Sequence, residues 1–404
     1  MGEGSTRLNV LIVGTGMYVC GRGTSTYGTV MPAVLQAAKA GLVGDVLVAT
    51  RSGRSFEVFD EKWRAVERLI GHRASYRRFP DGDQRDPTAF RRAIAELGDP
   101  GAVVVVVPDD LHREVALPAI EAGKHALVVK PLAPTLDDAL ALVEAAKKRG
   151  VYGAVEFHKR FDLANLKMME VLAKGEIGDP LFFHVEYSQR KVVPSQIFAD
   201  WTAQTSIFQY LGVHYVDIIY FVTGARPTRL LAVGQKAWLA ERGFPVHDAV
   251  EVLLEWEMPD RPRRFMSSFL VSWVDPEHSS AMSYQSIKVV GTKGRYESDQ
   301  KQRGVEVVSD EGGIRNPNPY FCETYPVPGT GEYCFRGYGI DSVTTFLSDA
   351  LDVATGRVSP EALEGRRPTF RDTLVSTAVV EAARLALQRE GTWVTFGPDL
   401  RPRC

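Results

Sequence analysis

Lys130 is the residue of this chain whose type and position point most directly to chemistry. It follows the short apolar segment 125–129 and precedes Pro131. The previous apolar segment contains five consecutive valines, residues 103–107, and such a run is typical of a parallel strand buried on both faces. We therefore expect Lys130 at the carboxyl end of the next parallel strand, the edge of an open α/β sheet where ligands bind. An ammonium group there can polarise a carbonyl or stabilise an alkoxide.

A glycine turn follows the first apolar segment, residues 8–13. Glycine allows the backbone to turn tightly and to approach a pyrophosphate closely. The full G-x-G-x-x-G pattern is absent because Val19 occupies its last position, and a glycine-rich insertion, residues 20–28, precedes a predicted helix at residues 29–40. The N-terminus of that helix would point at the phosphates, whereas a tight turn without a ligand is the alternative. The residues that we expect to contact a dinucleotide here are Gly14, Thr15, Gly16 and Met17.

The second predicted strand, residues 45–49, ends without a carboxylate. An NAD-binding unit usually carries Asp or Glu there to hold the ribose 2′-hydroxyl. The residues found instead are Thr50, Arg51, Ser52 and Arg54. Because a guanidinium fork suits a 2′-phosphate, NADP(H) is favoured as the cofactor and NAD(H) is the second choice. The alternative is that both arginines are solvated loop charges.

The size and composition of the chain limit the classes of protein that it can belong to. Its 404 residues are enough for two domains, and strands alternate with helices as far as residue 155, which predicts an α/β doubly wound parallel sheet. The net charge of −2 predicts no nucleic-acid partner, and no apolar run approaches the roughly 20 residues that span a membrane. The four cysteines lack metal-ligand spacing, and the N-terminal residues lack the apolar core of a signal peptide. We therefore expect a cytoplasmic protein without a metal.

The order of several short motifs resembles the Gfo/Idh/MocA family, the group of glucose–fructose oxidoreductase and inositol dehydrogenase. The motifs are GTG, VPDDLH, AGKH and KPLA in the first part of the chain, followed by HKRFD, GEIGDP, GVHYVD and GTKG. The resemblance implies a Rossmann domain at residues 1–152 and a C-terminal α/β domain at residues 153–404. The second domain would contain a large, mostly antiparallel open sheet, to which the apolar segments 181–188, 250–257 and 265–273 would contribute strands. Its outer face would form a homodimer or homotetramer.

The resemblance also implies the catalytic residues. The lysine of the family's Lys-Pro motif matches Lys130, which would hydrogen-bond the reacting oxygen and contact the cofactor. The family's histidine matches His214, a general acid or base, and Asp217 would either orient its imidazole or make a local helix contact. Two positions depart from the family pattern. Tyr210 stands where an aspartate often precedes the histidine by four residues, and it would either enter the proton relay or pack. Val129 stands where the family often has a glutamate.

Further binding residues follow from the same resemblance. Pro108, Asp109 and His112 would line the cofactor side, although His112 starts a predicted helix and is more readily explained as a structural residue. An aromatic face with hydrogen-bonding arginines would suit a sugar. The expected substrate-binding residues are Lys130, Arg160, Tyr187, Arg190, Trp201, Tyr210 and His214.

The sequence therefore predicts an NADP(H)-dependent oxidoreductase. It would interconvert a secondary alcohol and a ketone on a small carbohydrate, namely a sugar, cyclitol or sugar nucleotide, with Lys130 and His214 handling the proton. One alternative is a nicotinamide-dependent glycosidase that oxidises, eliminates and then reduces. The other is a dinucleotide-sensing regulatory protein without catalysis, because a fold does not by itself determine a function.

Overall fold

The computed structural model describes residues 6–260, 262–389 and 391–404. Residues 1–5, part of the segment in which we expect no signal peptide, lie outside the described residues. The chain divides into two compact units, and each is discontinuous in sequence. The first contains residues up to Ala133 together with Asp137–Phe161 and Tyr320–Asp372; the second contains Pro134–Leu136, Asp162–Pro319 and Thr373–Cys404. The division into domains at residue 152 stays a prediction.

Strands of the first unit form its central sheet, and the later strands belong mostly to the second unit. The first six are β1 (Leu8–Val13), β2 (Val43–Ala49), β3 (Tyr76–Phe79), β4 (Gly101–Val105), β5 (His125–Val129) and β6 (Gly153–Glu156). The next six are β7 (Pro180–Arg190), β8 (Arg226–Gln235), β9 (Ala249–Glu257), β10 (Arg264–Asp275), β11 (Ser283–Gly291) and β12 (Arg295–Asp299). The last six are β13 (Val307–Ser309), β14 (Gly313–Arg315), β15 (Glu323–Pro326), β16 (Tyr333–Arg336), β17 (Val394–Phe396) and β18 (Pro402–Arg403).

The helices alternate with the strands in the first part of the chain. They are α1 (Met17–Cys20), α2 (Val30–Lys39), α3 (Phe56–Ile70), α4 (Ala89–Glu96), α5 (His112–Glu121), α6 (Leu136–Arg149), α7 (Leu163–Ala173), α8 (Val213–Thr223), α9 (Tyr338–Ala354) and α10 (Leu374–Gln388). No helix in the described ranges is both long and apolar enough to cross a membrane.

The sheet of the first unit is entirely parallel and has the strand order β3-β2-β1-β4-β5-β6. This is the doubly wound Rossmann order, whose ligand crevice opens at the carboxyl ends of β1 and β4. The predicted fold class is confirmed. Strand β4, Gly101–Val105, begins and ends two residues earlier than the run of valines at residues 103–107. Residues 106 and 107 lie outside the strand.

The helix predicted at residues 29–40 is confirmed as α2, and a short helix that was not predicted precedes it. Helix α1 begins directly after Gly16, residues 21–28 then form a loop, and α2 starts at Val30. The loop closes on itself, since the Thr29 amide donates to the Tyr18 carbonyl at 2.8 Å. Gly28 has a φ of +70°, and a Cβ there would lie 2.6 Å from the Cys20 nitrogen, so this closure depends on glycine.

The second unit is built on an eight-stranded sheet with the order β12-β11-β7-β10-β9-β8-β17-β18. Its strand pairs are antiparallel except for the parallel pair β7 and β10. The mostly antiparallel sheet is therefore confirmed, and β7, β9 and β10 extend one or two residues beyond the predicted segments. Alternate residues of β10, among them Phe269 and Trp273, are buried, while Met266 and Leu270 on the opposite face are exposed.

Candidate active site

The glycine turn after β1 is shaped by two glycines with different roles. Gly14 has a φ of +114°, and a Cβ there would lie 2.0 Å from the Val106 carbonyl oxygen, so only glycine fits beside β4. A Cβ on Gly16 would meet no atom of the described residues within 4 Å. The backbone of Gly16 therefore faces open space, as the close approach of a pyrophosphate requires. Thr15 between them is buried, and Met17 begins α1.

The loop after β2 is held by the loop after β3. The Thr50 amide donates to Phe79, the Gly53 amide to Gln84, and the Asp86 amide to the Arg51 carbonyl, over 2.8 to 3.0 Å. These backbone bonds fix the loop and leave the side chains of Arg51 and Arg54 exposed to solvent. Neither guanidinium forms an ion pair with any of the described residues. The loop therefore presents two cations beside the glycine turn, with Ser52 half-buried between them.

The loop after β4 carries Pro108, Asp109 and His112. Asp109 is buried in a short 3-10 turn, and His112 is 1% exposed at the start of α5. The His112 Nδ1 atom lies 2.8 Å from the Pro131 carbonyl oxygen, and Nε2 lies 3.0 Å from the Val107 carbonyl oxygen. The imidazole thus connects the end of β4 to the turn that contains Lys130. This geometry gives His112 a positioning role.

Lys130 follows β5 at the carboxyl edge of the sheet and is only 7% exposed. Burial lowers the pKa of its ammonium group to about 8, because a charged group loses hydration energy in the interior. The carboxylates of Asp109 and Glu156 act in the opposite direction and raise this pKa. A lysine with this pKa can hold or release a proton near neutral pH.

Glu156 is a candidate site residue that the sequence analysis did not identify. It ends β6, directly opposite Val129 in the parallel register, and it is 1% exposed. Its carboxylate lies 3.0 Å from the His158 Nδ1 atom and accepts a hydrogen bond from the Ser342 hydroxyl. Although burial raises the pKa of Glu156, His158 and these hydrogen bonds hold it below its ordinary value. A buried carboxylate thus lies one strand away from the position where the family often has glutamate.

His158 links Glu156 to an aromatic cluster of the first unit. The Tyr18 hydroxyl lies 3.3 Å from the His158 Nδ1 atom, and the imidazole stacks against Tyr338 and lies at 5.2 Å, ring centre to ring centre, from Phe321. Burial, followed by the charge of Glu156, raises the pKa of Tyr18. One sequence signal was available: an acidic residue follows the apolar strand 151–155 at the edge where Lys130 was expected.

His214 lies in the first turn of α8 in the second unit and is 3% exposed. Its ring centre is 6.4 Å from that of Tyr187, a buried residue of β7. Asp217 follows in the same helix and is almost completely buried. The structure therefore brings His214 and Tyr187 together on the helix-covered side of the large sheet.

Tyr210 belongs to a wider, π-helical turn, Phe208–Gly212, that precedes α8. Its ring lies 5.0 Å from Phe198, 5.8 Å from Trp201 and 5.8 Å from Trp273, measured between ring centres. Because this turn is wider than an α-helical turn, Tyr210 and His214 are not related by one regular α-helical turn. Trp201 and Tyr210 instead share an aromatic cluster, a surface suited to the apolar face of a sugar ring.

The two predicted arginines of the substrate pocket lie in different units. Arg190, in β7, donates from Nε to the Ala281 carbonyl at 3.1 Å and from Nη2 to the Ser279 carbonyl, so it fixes the loop between β10 and β11. Arg160 belongs to the first unit and is 4% exposed in the short turn after β6. Both side chains are at least partly buried, which distinguishes them from solvated surface arginines.

Comparison with known proteins agrees with the observed fold. Residues 8–157 match the oxidoreductase family with an NAD-binding Rossmann fold, and residues 165–297 match the GFO/IDH/MocA C-terminal domain. The 1,5-anhydro-D-fructose reductase of Ensifer adhaerens is 35% identical over 39% of this chain, and the chain spans only 48% of that relative. The levoglucosan dehydrogenase of Pseudarthrobacter phenanthrenivorans is 25% identical over 73% of this chain and 81% of its own length.

A solved structure supports the fold assignment. The scyllo-inositol dehydrogenase of Lactobacillus casei, solved with NAD(H) and scyllo-inositol, superposes with a TM-score of 0.65 over 96% of this chain and 99% of its own, at 16% identity. At that identity the likeness concerns the fold alone. Because the N-terminal and C-terminal domains of the family both match, and together they cover more than half of the residues, this chain belongs to the GFO/IDH/MocA family of oxidoreductases.

Proposed function

We propose that this protein is an NADP(H)-dependent oxidoreductase that interconverts a secondary alcohol and a ketone on a sugar, cyclitol or sugar nucleotide. The observation that carries the proposal is the buried Lys130 at the carboxyl edge of a Rossmann sheet. Membership of an oxidoreductase family supports nicotinamide chemistry. The names of these relatives refer to carbohydrates, namely 1,5-anhydro-D-fructose, levoglucosan and scyllo-inositol, and they support a polyhydroxylated substrate.

The preference for NADP(H) is supported by the loop after β2. Arg51 and Arg54 are exposed there, and the loop has no carboxylate that would repel a 2′-phosphate. The open space at Gly16 fits a pyrophosphate, and Asp109 and His112 line the neighbouring turn. When bound, the nicotinamide would supply or accept the hydride.

The proton would be handled by Lys130 and His214. In the direction of ketone reduction, the Lys130 ammonium would donate a hydrogen bond to the carbonyl oxygen and stabilise the alkoxide that forms. Its lowered pKa, about 8, favours transfer of the proton at neutral pH. His214 would act as the second general acid or base, with Asp217 in the next helical turn available to orient its imidazole.

Substrate binding would use aromatic residues and arginines. Trp201 and Tyr210 offer an aromatic surface, and Tyr187 packs beside His214. Arg160 would add hydrogen bonds to hydroxyl groups, whereas Arg190 would act mainly by holding its loop.

We further propose a homo-oligomer that forms through the outer face of the large sheet. Phe182, Met266 and Leu270 are more than one-third exposed on neighbouring strands of that face. Apolar residues grouped on a sheet face are commonly covered by a partner. Light scattering of the purified protein should give a mass of two or four chains, and a monomeric mass would contradict this proposal.

The experiment that tests the proposed function is a calorimetric titration of nucleotide-stripped protein with NADPH and with NADH. We expect NADPH to bind more tightly. Equal binding of both would remove the cofactor preference but retain the oxidoreductase, and binding of neither would contradict the whole proposal. Transfer of hydrogen between a substrate C–H and the nicotinamide, followed with a deuterated sugar, would then identify the reaction.

A further inference from the structure

The loop inserted between α1 and α2 brings one arginine back to the glycine turn. Gly21 and Gly28, at its two ends, have φ values of +71° and +70° and allow the loop to close. Arg22 follows the first of these glycines and is half-buried. The loop therefore returns its first side chain toward β1 instead of extending into solvent.

The Arg22 guanidinium spans the two loops that border the sheet edge. Its Nε–H donates to the Thr15 carbonyl at 2.9 Å, and Nη2 contacts the Thr15 hydroxyl at 3.4 Å. Nη2 also donates to the Ser55 carbonyl, immediately after Arg54. Nη1 donates to none of the described residues, so its two N–H groups remain available for a ligand.

The far side of the same loop is held by a second cation. The Lys62 ammonium group on α3 donates to the Thr24 carbonyl at 3.0 Å and to the Thr26 carbonyl at 2.8 Å. The loop is thus fixed both at Arg22 and at its tip. A side chain that is already ordered loses less conformational entropy when it binds a ligand.

We propose that Arg22 is a specificity-determining residue that binds the 2′-phosphate of NADP(H). In a Rossmann domain the pyrophosphate lies at the glycine turn and the adenosine ribose at the end of β2. A guanidinium that contacts both Thr15 and Ser55 would lie beside the ribose, and with the exposed Arg51 and Arg54 of the loop after β2 it would bind the phosphate. This inference rests on the proposed NADP(H) preference and assigns part of it to the insertion.

The test uses two nucleotides that differ only in the 2′-phosphate, adenosine 2′,5′-bisphosphate and adenosine 5′-monophosphate. Their dissociation constants are measured by calorimetry for the full chain and for Arg22→Gln, Arg22→Lys and Lys62→Met. Lys62→Met is the matched control, because it loosens the same loop without removing an arginine from the site. Thermal unfolding of each variant verifies that it is folded, and Arg22→Lys provides a second measurement if Arg22→Gln does not fold.

We expect Arg22→Gln to weaken binding of the bisphosphate by roughly tenfold or more, because a charge-assisted hydrogen bond is lost. Binding of the monophosphate should weaken much less. The affinity of Arg22→Lys for the bisphosphate should lie between those of Arg22→Gln and the unchanged protein, since lysine keeps the charge but lacks the paired N–H groups of a guanidinium. Equal weakening of both nucleotides, or the same loss of selectivity in Lys62→Met, would overturn the assignment and make Arg22 a structural support of the turn. If the unchanged protein does not prefer the bisphosphate, the NADP(H) proposal itself fails; if it does and Arg22→Gln keeps that preference, only the role of Arg22 fails.

Discussion

The carboxyl edge of the Rossmann sheet uses charge in two different ways at its two ends. At the end formed by β1 and β2, Arg51 and Arg54 are exposed and only the backbone of their loop is fixed. At the end formed by β5 and β6, Lys130 and Glu156 are 7% and 1% exposed. We call these the arginine end and the lysine end.

The comparison shows how burial separates binding from proton chemistry. Exposed guanidinium groups keep their charge at all ordinary pH values and attract an anion without a large desolvation cost. A buried ammonium group loses its hydration, so its protonation depends on the few charges around it. The arginine end is therefore suited to holding a phosphate, and the lysine end to exchanging a proton.

The largest expected effect is the loss of catalysis when the lysine end loses its ammonium group. Lys130→Met should lower kcat for ketone reduction by about 1,000-fold, a typical contribution of general acid catalysis and charge stabilisation. Binding of NADPH should change little, because the phosphates are held at the arginine end. Steady-state kinetics and calorimetry measure the two effects, with Lys147→Met on the exposed end of α6 as a control. Activity retained by Lys130→Met would contradict the assignment of Lys130.

A smaller effect is expected at the arginine end. Arg51→Ala combined with Arg54→Ala should weaken binding of NADPH on the order of 100-fold, since two charge-assisted hydrogen bonds to the 2′-phosphate are lost. Binding of NADH should weaken far less. The effect should shrink as salt is added, because exposed charges are screened. Arg73→Ala, an exposed arginine before β3 at the opposite edge, is the matched control. If binding of NADPH and binding of NADH weaken equally, the two arginines do not bind the 2′-phosphate.

The smallest expected effect is a displaced pH profile. Glu156 raises the pKa of Lys130, so Glu156→Gln should move that pKa below its value of about 8. Ketone reduction requires the protonated lysine and is lost as the pH rises through its pKa. The alkaline limb of kcat/KM should therefore shift to lower pH in Glu156→Gln. Ser342→Ala removes a hydrogen bond from the same carboxylate but no charge, and it should leave the limb nearly in place. An unchanged alkaline limb in Glu156→Gln would show that Glu156 does not influence the pKa of Lys130.

Much of the candidate site could be predicted from local patterns in the sequence. Runs of β-branched residues predicted the buried strands, and the residues directly after them, Gly14, Thr50 and Lys130, lie at the predicted edge. The helix predicted at residues 29–40 is confirmed as α2, whereas α1 was not predicted, because four residues are too few to show a helical period. The membership of residues 320–372 in the first unit also leaves no local signal.

The sequence by itself determined the alternation of strands and helices, the doubly wound fold class and the residues at the carboxyl ends of the strands, because apolar period and turn residues are local properties. Only the tertiary structure decided that Glu156 lies opposite Val129, that Ser342 donates to it, and that Arg22 returns to Thr15. Those contacts depend on strand register and on how a loop closes, which are set by packing between segments far apart in the chain. The sequence therefore determines which charged residues the site contains, whereas the fold determines how exposed they are and thereby their chemistry.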